Sequence, residues 1–206
     1  MEFFREAARH LKDGGAFFQW LQMYKLEAES LRLLVRTFRR VFPQVHLVRP
    51  PGTGEVILAG SFQDLALERF LEAPAGRLLA GTGVEVPADR LAVFVVGPAG
   101  VDEWVGLAPA LPVSTDSRGE IEYLAARSLY SRRDVARENL ALLHEIGGRD
   151  PLLRYLPERL RNDVAFSRLL AARKARLGQF AEALATLQSD DSSEARALRE
   201  EIERSR

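Results

Sequence analysis

The sequence predicts a mixed α/β unit followed by an all-α segment. Two patterns carry this expectation. Residues 1–60 run helix, strand, helix, hairpin, with apolar residues at helical spacing in the helices and short apolar runs between them. Beyond about residue 130 the strand-like runs stop and the remaining chain is helical by period. A boundary near residue 130 therefore divides the chain into residues 1–130 and 131–206.

Each element has a local cause. Glu2 to Lys12 reads as an amphipathic helix, with Phe3, Phe4, Ala7, Ala8 and Leu11 at helical spacing. Asp13-Gly14-Gly15 ends it. Ala16 to Leu21 is short, apolar and aromatic, and reads as a buried strand. Glu27 to Phe42 places Leu31, Leu34, Val35, Phe38 and Phe42 on one stripe, with arginines opposite, and Pro43 stops it. Val45 to Val48 and Glu55 to Gly60 flank a Pro/Gly turn and read as a hairpin. Ser61 is suited to cap a following helix. Pro87 to Val96 and Val101 to Leu107 read as short helices, and Leu111 to Tyr130 as a polar crossing segment. Ser131 to Gly147, Leu156 to Leu177, Phe180 to Gln188 and Ser192 onward are helical.

Composition excludes several chemistries. The chain of 206 residues balances 29 basic against 29 acidic residues, so no net field gathers nucleic acid. It has no cysteine, hence no disulfide, thiolate nucleophile or thiolate metal site. Its three histidines, His10, His46 and His144, are far apart in sequence and argue against a histidine-rich metal site. No apolar run reaches the roughly 18 residues of a membrane span. The start, "MEFFREAARHLKD", is acidic and amphipathic, unlike a signal peptide, and the expected location is cytoplasmic.

The run "EFFREAARHLKDGGAFFQWLQMYKLEAESLRLLVRTFRRVFPQVHLV", followed by "EVILAGS" and later by "STDSRGEIEYLAARSLY", resembles the C-terminal half of the polyamine aminopropyltransferase, or spermidine synthase, family. It looks most like the large bacterial versions that follow a membrane-spanning region. The resemblance implies the closing half of a class I methyltransferase-like, Rossmann-like sheet. Ala16 to Leu21 would be its fifth strand, and Val45 to Val48 with Glu55 to Gly60 its closing antiparallel pair. It implies a parent that transfers an aminopropyl group from decarboxylated S-adenosylmethionine, with this chain as a partial domain, inactive alone. The strands that would carry the cofactor loop and the catalytic aspartate are not in this sequence, so no cofactor is expected here. The partner would be the missing N-terminal half or a second copy, since a half sheet leaves an edge open.

Two positions carry over as substrate-binding candidates. Gln19 matches the family's strand-five glutamine near the amine, where its amide would orient an amine or a water. Its plain alternative is a polar residue bonded to a neighbouring loop. Asp116, in Ser114-Thr115-Asp116-Ser117, matches the family's Asn-Thr-Asp-Asp segment; its alternative is an ion pair with Arg118, as for Glu122 with Arg127. The family's tyrosine-bearing turn is replaced by Pro50-Pro51-Gly52-Thr53-Gly54. The GxG sequences at residues 52–54 and 81–83 lack the strand-then-helix setting of a nucleotide loop. Ser128 has no nucleophile elbow around it, and Trp20 and Trp104 read as packing residues.

The tail offers a second function class. "LAARKARLGQFAEALATL" resembles one tetratricopeptide unit, with Ala172, Leu177, Gly178, Phe180 and Ala183 at the small and aromatic positions. The alternative to the enzyme fragment is therefore a module that binds a protein partner through this tail. The last stretch, "SSEARALREEIERSR", reads as a solvated helix.

Overall fold

A computed structural model describes residues 1–50, 53–72, 90, 93–106, 112–118, 123, 126, 133–149, 164–176 and 178–206. The chain is mixed α/β with an open four-stranded sheet. It divides into two compact units, Met1–Leu65 with Val95–Pro151, and Ala66–Phe94 with Leu152–Arg206. This division differs from the composition shift near residue 130.

In the first unit, α1 (Glu2–Arg9) leads through the left-handed Gly14 into β1 (Ala16–Gln22). A 3-10 turn (Met23–Lys25) and α2 (Ala28–Arg39) follow. Helix α2 is shorter than its apolar stripe. The amides of Val41 and Phe42 both donate to Phe38 O, so Phe42 stays on the stripe outside the regular helix. Strands β2 (Gln44–Val48) and β3 (Glu55–Ser61) form the expected hairpin. Strand β3 lies between β1 and β2 and is antiparallel to both.

The register sorts the two sheet faces. Phe17, Gln19 and Leu21 stand opposite Gly60, Leu58 and Val56, and Val45 and Leu47 extend this row. Their face carries the core: Leu47, Leu58, Val45 and Val56 are wholly buried, as are Leu31, Val35, Phe38 and Phe42 of the α2 segment. An aromatic cluster fills the space, with Phe38 and Phe42 centroids 4.6 Å apart and Phe17 stacked on Phe42 at 5.9 Å. Gly60 has no side chain because the rings of Phe38 and Phe42 occupy that place.

Ser61 does not cap a helix. It ends β3, and its hydroxyl donates to Gln63 O, while α3 begins later (Leu67–Glu72). The apolar run before Gly97 is β4 (Phe94–Val96), beside β2, rather than the end of a helix. Short apolar runs fit either element, and neighbouring β2 decides. Helix α4 (Pro98–Gly106) and helix α5 (Val135–Arg149) complete the unit. Helix α5 buries Val135, Asn139, Leu143 and Gly147, one residue every four, and a side chain at Gly147 would strike Val95 O.

The second unit holds α3 and three tail helices, α6 (Val164–Arg176), α7 (Phe180–Thr186) and α8 (Ser193–Ser205). Gly178, at φ +76°, turns α6 into α7. Its amide donates to Ala175 O, and the Gln179 amide donates to Lys174 O, the paired bonds that close a helix on a left-handed glycine. The small residue buried on α6 is Ala171, while Ala172 is half-buried, one position from the expected register. Helix α8 is not solvated all round. Ser192 caps it, accepting from the Ala195 amide, and Ala195 and Ile202 join Ala171, Ala183 and Leu187 in one core. Expectations at residues 81–83, Glu122, Arg127 and Ser128 lie outside the described residues.

Candidate functional site

Gln19 sits mid-strand, half-buried, opposite Leu58. Its amide nitrogen donates to Trp20 O at 3.0 Å. Strand β1 is the end of the sheet among the described residues, so Gln19 stands beside an open edge rather than in an enclosed pocket. Asp116 is in a surface turn closed by the Arg118 amide on Thr115 O. Its amide donates to Glu2 Oε2, and its carboxylate lies 3.8 Å from the Met1 ammonium, which donates to Ser114 O at 2.8 Å. Glu2 accepts from backbone amides, its own and that of Asp116, which hold its carboxyl down at about 2. Gln19 and Asp116 share no hydrogen-bond partner among the described residues.

The edge has a further feature that sequence reasoning missed. Phe18 and Trp20 point to the face opposite Gln19 and are 62% and 55% exposed. Trp20 is therefore not a packing residue of this unit, whereas Trp104 is buried. Alternation along "AFFQWLQ" signals the two faces, but not that one face is uncovered.

The histidines do not assemble. His10 is exposed beside Glu6 at 3.2 Å. His46 is buried in β2, and burial holds its imidazole at about 4. His144 is half-buried and also lowered, by burial first and then by Arg49. Among the described residues no group of His, Asp and Glu could hold a metal ion, and no helix is long and apolar enough to cross a membrane.

A cleft of about 560 Å³ opens between α2, α4 and the segment at Pro112 and Val113. Arg36, Arg39, Arg40 and Asp102 supply its charges. The sequence shows these arginines only as the polar side of α2; their convergence depends on α4. No protein-family model, curated protein or solved structure matches the chain.

Proposed function

We propose that the chain is the closing segment of a spermidine synthase-like, methyltransferase-fold domain of a larger parent, without aminopropyltransferase activity of its own. The observation that carries this reading is the position of β3, inserted between β1 and β2 and antiparallel to both. A fifth strand followed by a closing antiparallel pair needs that order. Strand β4, beyond β2, is an addition that the resemblance does not anticipate. The exposed Phe18 and Trp20 lie where the preceding strands and their covering helices would join.

The open edge supports the reading of the partner. It takes either the preceding half of the domain or a second copy of the chain. Strand β1 suits its own copy, because its pattern reads alike in both directions about Gln19. Antiparallel pairing of two β1 strands would set Phe18 against the second copy's Trp20, and Phe17 against its Leu21.

Calorimetric titration with decarboxylated S-adenosylmethionine, S-adenosylmethionine and methylthioadenosine tests the reading. No heat is expected from any of them. Saturable micromolar binding would mean that the chain builds a nucleoside site of its own, and would overturn it.

The packing of α6, α7 and α8 through Ala171, Ala183 and Ala195 favours a second reading, a helical module that binds a peptide. Screening the full chain against a peptide library tests it. A saturable ligand lost on Ala183→Leu supports a tail groove, and absence of any ligand removes it.

A further inference from the structure

Strand β1 pairs with β3 on one side, and its other side is a sheet edge among the described residues. One hydrogen bond tells which backbone groups face that edge. The Met23 amide donates to Gly54 O at 3.1 Å, in step with the ladder that pairs Gln22 with Glu55. Backbone groups alternate in direction along a strand. Those of Phe17, Gln19 and Leu21 therefore also turn to β3, and those of Phe18, Trp20 and Gln22 turn to the edge. Gln19 covers one of these groups, since its Nε2 donates to the outward Trp20 O at 3.0 Å.

We propose that β1 joins the β1 of a second copy of this chain, antiparallel and in the register that opposes Gln19 to itself. Outward groups meet outward groups only when even-numbered residues oppose one another. Centred on Gln19, such a register pairs all seven residues of the strand; centred on Phe18 or Trp20, it leaves two of the seven unpaired. It also keeps both faces continuous. Phe18 lies beside the second copy's Trp20 on the exposed face, and Phe17 beside its Leu21 on the core face. Charge follows the same symmetry. The exposed Asp13 and Lys25 stand beyond opposite ends of β1, so antiparallel pairing brings each toward its opposite on the second copy, and Lys12 and Glu27 repeat this further out.

Phe18 and Trp20, 62% and 55% exposed, together offer roughly 200 Å² per copy. A stable interface of standard size takes about 800 Å² from each partner. The pair is accordingly weak and forms as concentration rises. On pairing, the second copy's Phe18 amide replaces the Gln19 amide at Trp20 O, so Gln19 guards the edge of the single chain.

The chain has no cysteine, so introduced cysteines report the register without background. Oxidised at high protein concentration, Gln19→Cys should give a disulfide-linked dimer, because directly opposed Cα atoms lie about 4.5–5.5 Å apart. Phe18→Cys and Trp20→Cys should each stay unlinked, because diagonal neighbours lie about 7–8 Å apart, too far for an unstrained bridge. Mixed together, these two variants should link to one another, and mass spectrometry of the joined peptides reads the 18-to-20 bridge. Both positions are exposed, so the mixture decides even where Gln19→Cys disturbs the fold. Absence of the mixed bridge overturns the proposal, as does Phe18→Cys linking to itself as readily as to Trp20→Cys. The proposal rests on the open edge of the preceding reading, and the two fail separately. Nucleoside binding would overturn that reading with the bridge still formed, whereas a missing bridge would leave the rest of the domain as the partner of the edge.

Discussion

Asn139 ties α5 to the start of the first unit. It is wholly buried, and its Nδ2 donates to Met23 O at 2.8 Å and to Leu26 O at 2.6 Å. Met23 opens the 3-10 turn and Leu26 follows its end. Replacing Asn139 with leucine, of similar size, removes both donors. Each buried carbonyl left without a partner costs about 1–3 kcal/mol. Against this, the change removes Oδ1, which has no partner among the described residues, and so relieves one penalty of the same kind. The net expected loss is about 1–3 kcal/mol, and a melting point lower by about 2–12 °C for a chain of this size. Urea unfolding followed by tryptophan fluorescence reads it out, because Trp20 and Trp104 both belong to the first unit. A loss below about 1 kcal/mol would refute the reasoning, since it would mean that water reaches these carbonyls.

Other substitutions probe the core, the pH response and the edge. Gly60→Ala puts a methyl group 2.7 Å from Phe42 Cγ and against the Phe38 ring, so it should destabilise by about 1–3 kcal/mol; unaltered urea unfolding would show that the aromatic cluster yields freely. His46 binds its proton less readily folded than unfolded, so its contribution is intact above about pH 6.5 and is lost as pH falls toward about 4. A drop from 6.5 to about 4 corresponds to about 3 kcal/mol, and His46→Gln should flatten that part of the stability profile; the same slope in the variant would assign it to other groups, His144 among them. Trp20→Glu should weaken any self-association seen by sedimentation while leaving far-ultraviolet dichroism unchanged, and undiminished association would place the contact elsewhere.

The readable parts of the fold are those with local causes. Strand β1, helix α2 and the hairpin follow from periodicity and from Pro43 and the glycine-rich turns, and they stand within a few residues of expectation. Strand β4 is only three residues long, and its identity comes from β2 beside it, not from its own composition. Asn139 looks like an ordinary helix residue, because its partner Met23 lies 116 positions away in sequence. The candidate site was legible to a lesser degree. Gln19 and Asp116 can be picked out by resemblance, yet Gln19 bonds to the carbonyl of its neighbour Trp20, and Asp116 to Glu2 at the far end of the unit's sequence. The arginine row of α2 reads as a solvated face until α4 gives three of its members partners.

The central claim is that β1 is an open edge where the domain continues into another segment or another copy. Amide hydrogen exchange along Ala16–Gln22 tests it directly. Successive amides of a strand point to opposite sides, so a strand with one neighbour protects only alternate amides. In a sample that sediments as a monomer, alternate protection is expected in β1, with continuous protection in β3, which has neighbours on both sides. Uniform protection along β1 in that monomer would contradict the account, because something within the chain would already cover the edge.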